Sequence, residues 1–428
     1  MPKTFASLKY RNYRWWVSGA LVASVGTWMQ RVAQDWLVLT ELSNDSGVAI
    51  GITTALQFAP ALFFSAWAGA LADRVDRRKL LYVTQGSQGV LAAVLGALVL
   101  AGVAELWHVY VLAFLLGIAS AFDAPVRQVF VSELVPRERL ANAVGLNSAT
   151  FNTARLIGPG VAGLLIAAVG TGWVFVINAA SFGATLLALY RINTAEMFRE
   201  ERSKEGRGGT IRDGIAYVRS RTDIIVIFVV VSVVSTFGLN FQLTSALMAR
   251  IEFDRGAGEY GVLGSVLAIG SLAGALMAAR RERPRVRLVI GSAIGFGLAT
   301  GALALMPSYP MFVIACIPVG FASLTMLTAA NATLQLSTAP SMRGRVMALY
   351  MIVFLGATPI GSPLVGWVGE YFGPRWSIGV GSITALVVAA WALWWTRRRW
   401  GVEIHYSLRQ TPRLQIVHPP PEETDAAA

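Results

Sequence analysis

The stretch Gly69-Ala70-Leu71-Ala72-Asp73-Arg74-Val75-Asp76-Arg77-Arg78-Lys79 separates two long apolar runs, 48–72 and 80–101. Each run reaches the roughly 20 residues a helix needs to cross the hydrocarbon core of a bilayer. A charged joint of a few residues between two such runs reads as the hairpin of two membrane-crossing helices. Asp73 ends the first helix, where a carboxylate can face the positive N-terminus of a neighbouring helix. The basic side chains that follow either mark one side of the membrane or bridge to carboxylates on adjacent helices.

The same reading extends along the chain. Twelve stretches reach spanning length: 15–39, 48–72, 80–101, 107–126, 141–167, 172–190, 224–248, 260–279, 288–306, 311–335, 346–369 and 376–396. They lack the strict alternation of a membrane barrel, so an all-α integral membrane protein is expected. Composition agrees, with 55% of the 428 residues hydrophobic and 14% charged, against roughly 25% charged in soluble domains. The net charge of +12 does not point to nucleic acid, because the basic residues sit in short clusters between apolar runs. Of 36 Lys and Arg residues, 31 fall on the side of the N-terminus, alternate loops and the C-terminus, while the opposite loops hold Arg250, Arg255 and Arg375. The positive-inside rule then puts both termini in the cytoplasm. No cleavable leader is expected, since the first run is long and carries Arg31 and Asp35. One cysteine, Cys316, and three scattered histidines offer neither an internal disulfide nor a metal cluster.

The longest loop divides the helices six and six: an N-terminal bundle (1–190), a cytoplasmic linker (191–223), a C-terminal bundle (224–396) and a cytoplasmic tail (397–428) that reads as disordered. In the linker Ile211, Ile215 and Val218 share one helical face, as in a short helix lying on the membrane surface; a plain solvated segment is the alternative. The halves resemble one another at an offset of 203–204 residues. Leu116-Gly117-Ile118-Ala119-Ser120 aligns with Val319-Gly320-Phe321-Ala322-Ser323, Pro136 with Pro340, Arg139 with Arg343, and Pro159 with Pro363. Parallel six-helix repeats place a substrate site at their interface, near the midplane.

In this topology, Gly69–Lys79 resembles the major facilitator superfamily signature between helices two and three: a Gly, then Asp-Arg, then a basic triplet. Asp76 departs from it, standing where the family usually has Gly, so the turn is expected to be tighter or differently capped. The resemblance implies a gating motif of Gly69, Asp73, Arg74, Arg77 and Arg78, with helix eleven beside Asp73. It also implies that Arg77 reaches an acid low on helix four, for which Asp123 is the candidate. In helix five Gly145, Ala154, Gly158, Pro159, Ala162 and Gly163 are similar to the motif that marks exporters and antiporters of the superfamily. Read on the residues alone, they describe a close-packed, kinked helix. The position of an arginine frequent on helix four of proton-coupled drug exporters is Ala113 here, which removes that route for protons. The chain resembles most the branch of enterobactin exporters and macrolide-efflux pumps, on Gln30–Val38, Asn152–Gly160 and Asn178–Phe182. The resemblance covers about residues 5–396 and implies a monomer working without a cofactor.

Four charged residues fall within the spans: Arg31, Asp35, Asp123 and Arg155. Such residues are costly in lipid and usually mark a pathway. Arg31 and Asp35, four apart, share a helical face and can pair, with Gln30 and Gln34 beside them. Asp35 lies about 6 Å from the outer end of its helix and Arg31 about 12 Å. Asp35 is the candidate for proton coupling: burial favours its neutral form and Arg31 its ionised form. A structural ion pair at the outer gate is the competing reading. Asn152 and Arg155 are the candidates for the substrate cavity.

The leading expectation is a proton-coupled exporter of bulky amphipathic compounds such as siderophores, macrolides or drugs, acting by alternating access. A metabolite importer or facilitator is one alternative, and a non-transporting receptor or scaffold with the same fold is another. An enzyme is not expected: the chain has no Gly-x-Ser-x-Gly elbow, no His-Glu-x-x-His and no phosphate-binding Gly-Lys-Ser/Thr loop.

Overall fold

The computed structural model describes residues 3–198, 211–279, 286–400, 403–406 and 414–417. Six long helices form the first half: α1 (Arg11–Leu37), α2 (Gly47–Arg74), α3 (Arg77–Leu100), α4 (Leu106–Ser132), α5 (Leu140–Val169) and α6 (Thr171–Arg191). A short helix, α7 (Ile211–Ser220), belongs to the linker. The second half comprises α8 (Thr222–Phe237), α9 (Phe241–Leu247), α10 (Ala257–Ala279), α11 (Val286–Ala304), α12 (Tyr309–Ser337), α13 (Pro340–Phe372) and α14 (Pro374–Trp400). α8 and α9 are one crossing interrupted at Asn240 and continued by the π-turn Met248–Glu252.

Among the described residues eleven helices are long and apolar enough to cross a membrane. α1, with 27 residues, supplies the twelfth crossing. It is less apolar because of Gln30, Arg31, Gln34 and Asp35, and three of these, Gln30, Gln34 and Asp35, are buried against neighbouring helices. An even number of crossings brings the start of α1 and the end of α14 to the same end of the molecule, here the near end.

The repeat is visible as geometry. Gly170 and Gly373, 203 residues apart, both adopt positive φ (+85° and +98°) where α5 turns into α6 and α13 into α14. Gly117 and Gly320 each let a neighbour approach closely: a Cβ would lie 2.4 Å from the Gln57 carbonyl oxygen of α2 in the first case, and 2.1 Å from that of Leu267 in α10 in the second. The halves meet along two equivalent seams, α2 on α13 and α5 on α10. In each, a helix carbonyl sits where a larger residue would place its Cβ, Ser362 O on Gly51 at 2.5 Å and Pro159 O on Gly261 at 2.3 Å. Small residues thus set the depth of the contact.

Two expectations need correction. The linker does contain a helix, but Gly214, Tyr217 and Val218 face the protein and Ile215 does not; the Ile211 side chain lies outside the described residues. Gly214 packs on Arg345 and Leu349 of α13, and the Tyr217 hydroxyl accepts from Ala339 N at 3.2 Å, whereas Ile215 is 39% exposed. A glycine on the contact face lets α7 lie close to the start of α13, and this outweighs the apolar pattern. The tail, read as disordered from 397, is helical to Trp400, and Glu403–Tyr406 pairs antiparallel with Leu414–Val417. In the register Ile404 stands opposite Ile416 and Tyr406 opposite Leu414.

Candidate functional site

The polar end of α1 faces both halves. Asp35 is 6% exposed, and its carboxylate accepts a hydrogen bond from the Tyr260 hydroxyl of α10 at 3.2 Å. That hydroxyl also lies 3.3 Å from the Gln242 carbonyl oxygen of α9. A phenol has one proton to give. With Asp35 ionised, the carboxylate and the carbonyl compete for it; with Asp35 protonated, the acid can donate to Tyr260, which then donates to Gln242. The geometry accommodates both states. Trp36, next to Asp35, stacks on Tyr260 with ring centroids 5.8 Å apart. Since α1 continues through a π-turn to Leu42, Asp35 sits about 10 Å from the end of the helical segment, deeper than the sequence suggested.

The expected pairing of Arg31 with Asp35 is not formed. Arg31 instead stacks on the Trp28 ring at 4.8 Å and the Phe58 ring of α2 at 5.4 Å, and its Nε has no hydrogen-bond partner among the described residues. Arg155 of α5 approaches the same Trp28 ring at 5.9 Å, and Phe151, one turn earlier, meets it edge-on. Asn152 is not drawn into this cluster by its amide donor, which bonds to Ser148 O of its own helix at 2.8 Å. Gln34 is buried, and Gln30 accepts from Asn178 of α6, joining α1 to α6.

The helix-five pattern divides among partners. Gly158 admits Trp28 and Met29 of α1, while Pro159 and Gly163 lie against α10. Ser265 reinforces that seam, accepting from Gly160 N at 3.1 Å and donating to Leu156 O at 2.7 Å. Gly145 stands apart, with open space where a Cβ would be. Its place in the motif does not reflect close packing in this state.

In the hairpin between α2 and α3, Asp76 caps α3 by accepting from Lys79 N at 3.1 Å. This is the altered cap expected from the missing Gly. Arg78 donates to the carbonyls of Leu189 and Tyr190 at 2.9 and 3.3 Å, closing the C-terminal end of α6. Arg74 is exposed, and Gly69 has open space around it. The Asp73 side chain lies outside the described residues, although α2 does pack on α13, the eleventh crossing. Arg77 meets Glu133, beyond the end of α4, and not Asp123. Asp123 lies more than two turns deeper and is held by Arg127, at 2.7 Å, and by Thr84 and Gln85 of α3, at 2.8 and 2.7 Å.

Sequence reasoning missed a set of groups at the far end. Glu370 of α13 accepts from Ser46 Oγ at 2.6 Å and Val48 N at 3.0 Å at the start of α2, where the helix dipole favours an anion. Arg250 pairs with Asp45 at 3.2 Å across the halves. The only sequence signal was that these acids lie on the side poor in Lys and Arg. Among the described residues, the hydrogen bonds and ion pairs joining the two halves lie towards this end, so the far end is the closed one.

Residues 2–417 match the family described as transmembrane secretion effector. Relatives include the multidrug efflux pump Tap of Mycolicibacterium fortuitum, 28% identical, the match covering 89% of this chain and 94% of that protein. The staphyloferrin A transporter of Staphylococcus aureus is 26% identical over 84% of this chain and 90% of its own. The enterobactin exporter EntS of Shigella boydii is 24% identical, covering 82% and 83%. The fold is similar to that of a bacterial homologue of the human lysosomal transporter Spinster in its inward-facing, unoccupied conformation, with a TM-score of 0.71, 15% identity and coverage of 90% and 97%. The chain belongs to the transmembrane secretion effector family, within the major facilitator superfamily of membrane transporters.

Proposed function

We propose that this transporter is a proton-coupled exporter of bulky amphipathic compounds, of the siderophore or drug kind, working as a monomer by alternating access. The observation that carries this reading is the Asp35–Tyr260 hydrogen bond. It joins the halves through a carboxylate buried in the membrane, so gaining or losing a proton there acts directly on a contact that opening of the far end must break. The excess of Lys and Arg near the termini supports a cytoplasmic near end, and hence an inner-membrane protein with both termini inside. A closed far end then corresponds to a transporter open to the cytoplasm, ready to load a compound for export. The transport of siderophores and drugs by the relatives named above supports the substrate class.

The test is uptake of a dye and siderophore panel into everted membrane vesicles, with and without collapse of the proton gradient. Uptake that depends on the gradient supports the reading. Solute accumulation by intact expressing cells would instead indicate import, and uptake indifferent to the gradient would remove proton coupling.

A further inference from the structure

Arg31 and Arg155 present an unusual pair. Both guanidinium groups lie against the one indole of Trp28, at 4.8 and 5.9 Å, and each is partly exposed. Among the described residues neither makes a hydrogen bond or an ion pair, and Arg31 Nε is buried without a partner. The nearby carboxylate, Asp35, bonds to Tyr260. The cluster therefore holds two cations and at most one anion, inside the membrane, where an uncompensated charge is costly. Stacking on Trp28 and Phe58 recovers only part of that cost. An anion would balance this charge, and the surrounding rings (Trp28, Phe58, Phe151) supply an apolar wall beside it.

We propose that Arg31 and Arg155 form the anion-binding end of the substrate site, which takes a carboxylate-bearing solute whose aromatic or apolar body lies against Trp28 and Phe151. This deepens the exporter reading and rests on it only for the direction of transport. Arginine suits the task, because its planar fork binds a carboxylate through two parallel hydrogen bonds.

The purified full-length protein would be titrated with 1-naphthoate, 1-naphthamide and 1-naphthylmethylammonium, which share a ring system and differ in charge, reading the shift in unfolding temperature. The carboxylate is expected to act at about tenfold lower concentration than the amide, the difference of a charge-assisted hydrogen bond, and the ammonium to act least. Arg31→Gln and Arg155→Gln should each abolish the preference, and Arg155→Lys should retain part of it. Without ligand, Arg31→Gln should unfold no earlier than wild type, since an unpaired cation has been removed; a large fall would show a structural arginine and count against the site. A preference for the ammonium, equal action of all three probes, no response to any of them, or a preference that survives both Gln variants would overturn the proposal. Repeating the titration in phosphatidylcholine nanodiscs with and without phosphatidylglycerol separates the two sources of an anion. If phosphatidylglycerol raises the naphthoate concentration required, the site belongs to a lipid headgroup and the solute proposal falls. Vesicles that export nothing would remove the exporter reading while leaving the charge preference intact; export without a charge preference would do the reverse.

Discussion

Asp35 of α1 and Tyr260 of α10 meet across the two halves in a hydrogen bond of 3.2 Å, with the Gln242 carbonyl 3.3 Å from the same hydroxyl. The two partners can therefore be separated by mutation. Asp35→Asn keeps an acceptor oxygen but cannot titrate, so it should leave the far end closed and abolish proton movement. Tyr260→Phe keeps the titrating acid but removes the link, so it should open the far end more often while proton movement persists. Spin-label distances across the far end, measured beside proton flux, distinguish the two phenotypes. If both variants behave alike, the bond is not the connection between protonation and gating.

Gly261→Val should force the far end apart. Its Cβ would meet the Pro159 carbonyl oxygen 2.3 Å away, on backbone that cannot yield as a side chain would. The expected cost to the closed state is about 1–3 kcal/mol, enough to favour the opposite conformation. Labelling of a cysteine placed in the far half of α5 should accelerate, and Gly51→Val on the equivalent seam should act the same way.

Glu370→Gln tests the outermost contact. This carboxylate accepts from Ser46 and Val48 in solvent, where screening keeps charged contacts below about 1 kcal/mol. A small rise in far-end opening is expected, with full export retained. Loss of export would show that the contact matters more than its exposure allows.

At the near end Arg77, expected to reach Asp123, meets Glu133 instead. Exchanging Arg77 and Glu133 in the double variant Arg77→Glu/Glu133→Arg should restore the stability lost by either change alone. Pairing Arg77→Glu with Asp123→Arg should not. Asp123→Ala should lower thermal stability severely, by roughly 3 kcal/mol, because Arg127 would be left partly buried and unpaired. Unfolding temperatures of the purified variants check this.

The helices and the duplication were legible because lipid imposes a length and a charge asymmetry that the chain records residue by residue. Gly117 with Gly320 and Pro159 with Pro363 marked positions that the structure shows in contact with neighbouring helices. What the sequence could not convey was partner choice among residues of equal chemistry. Arg31 was read as the mate of Asp35 because they are one helical turn apart; tertiary contacts offered Asp35 a phenol from the other half and Arg31 two aromatic rings. Arg77 was assigned to Asp123, but that acid is held by Arg127, Thr84 and Gln85, and Arg77 meets Glu133. Asp45, Arg250 and Glu370 carried no pattern beyond lying on the side poor in Lys and Arg, since such a contact needs just one acid and one donor on opposite halves. The linker helix shows the same limit from the other side: the apolar pattern pointed to Ile215, which is exposed, and Gly214, without a side chain to signal it, makes the contact.

The central claim, that Asp35 couples protons to export, is tested most directly in proteoliposomes of purified wild type and Asp35→Asn carrying a pH-sensitive dye. Adding an exported compound across an imposed pH gradient should trigger proton release through wild type. In Asp35→Asn the release should vanish, while exchange of labelled for unlabelled compound without a gradient should continue. Proton release of wild-type size through Asp35→Asn would contradict the account and return Asp35 to a structural role in the far-end gate.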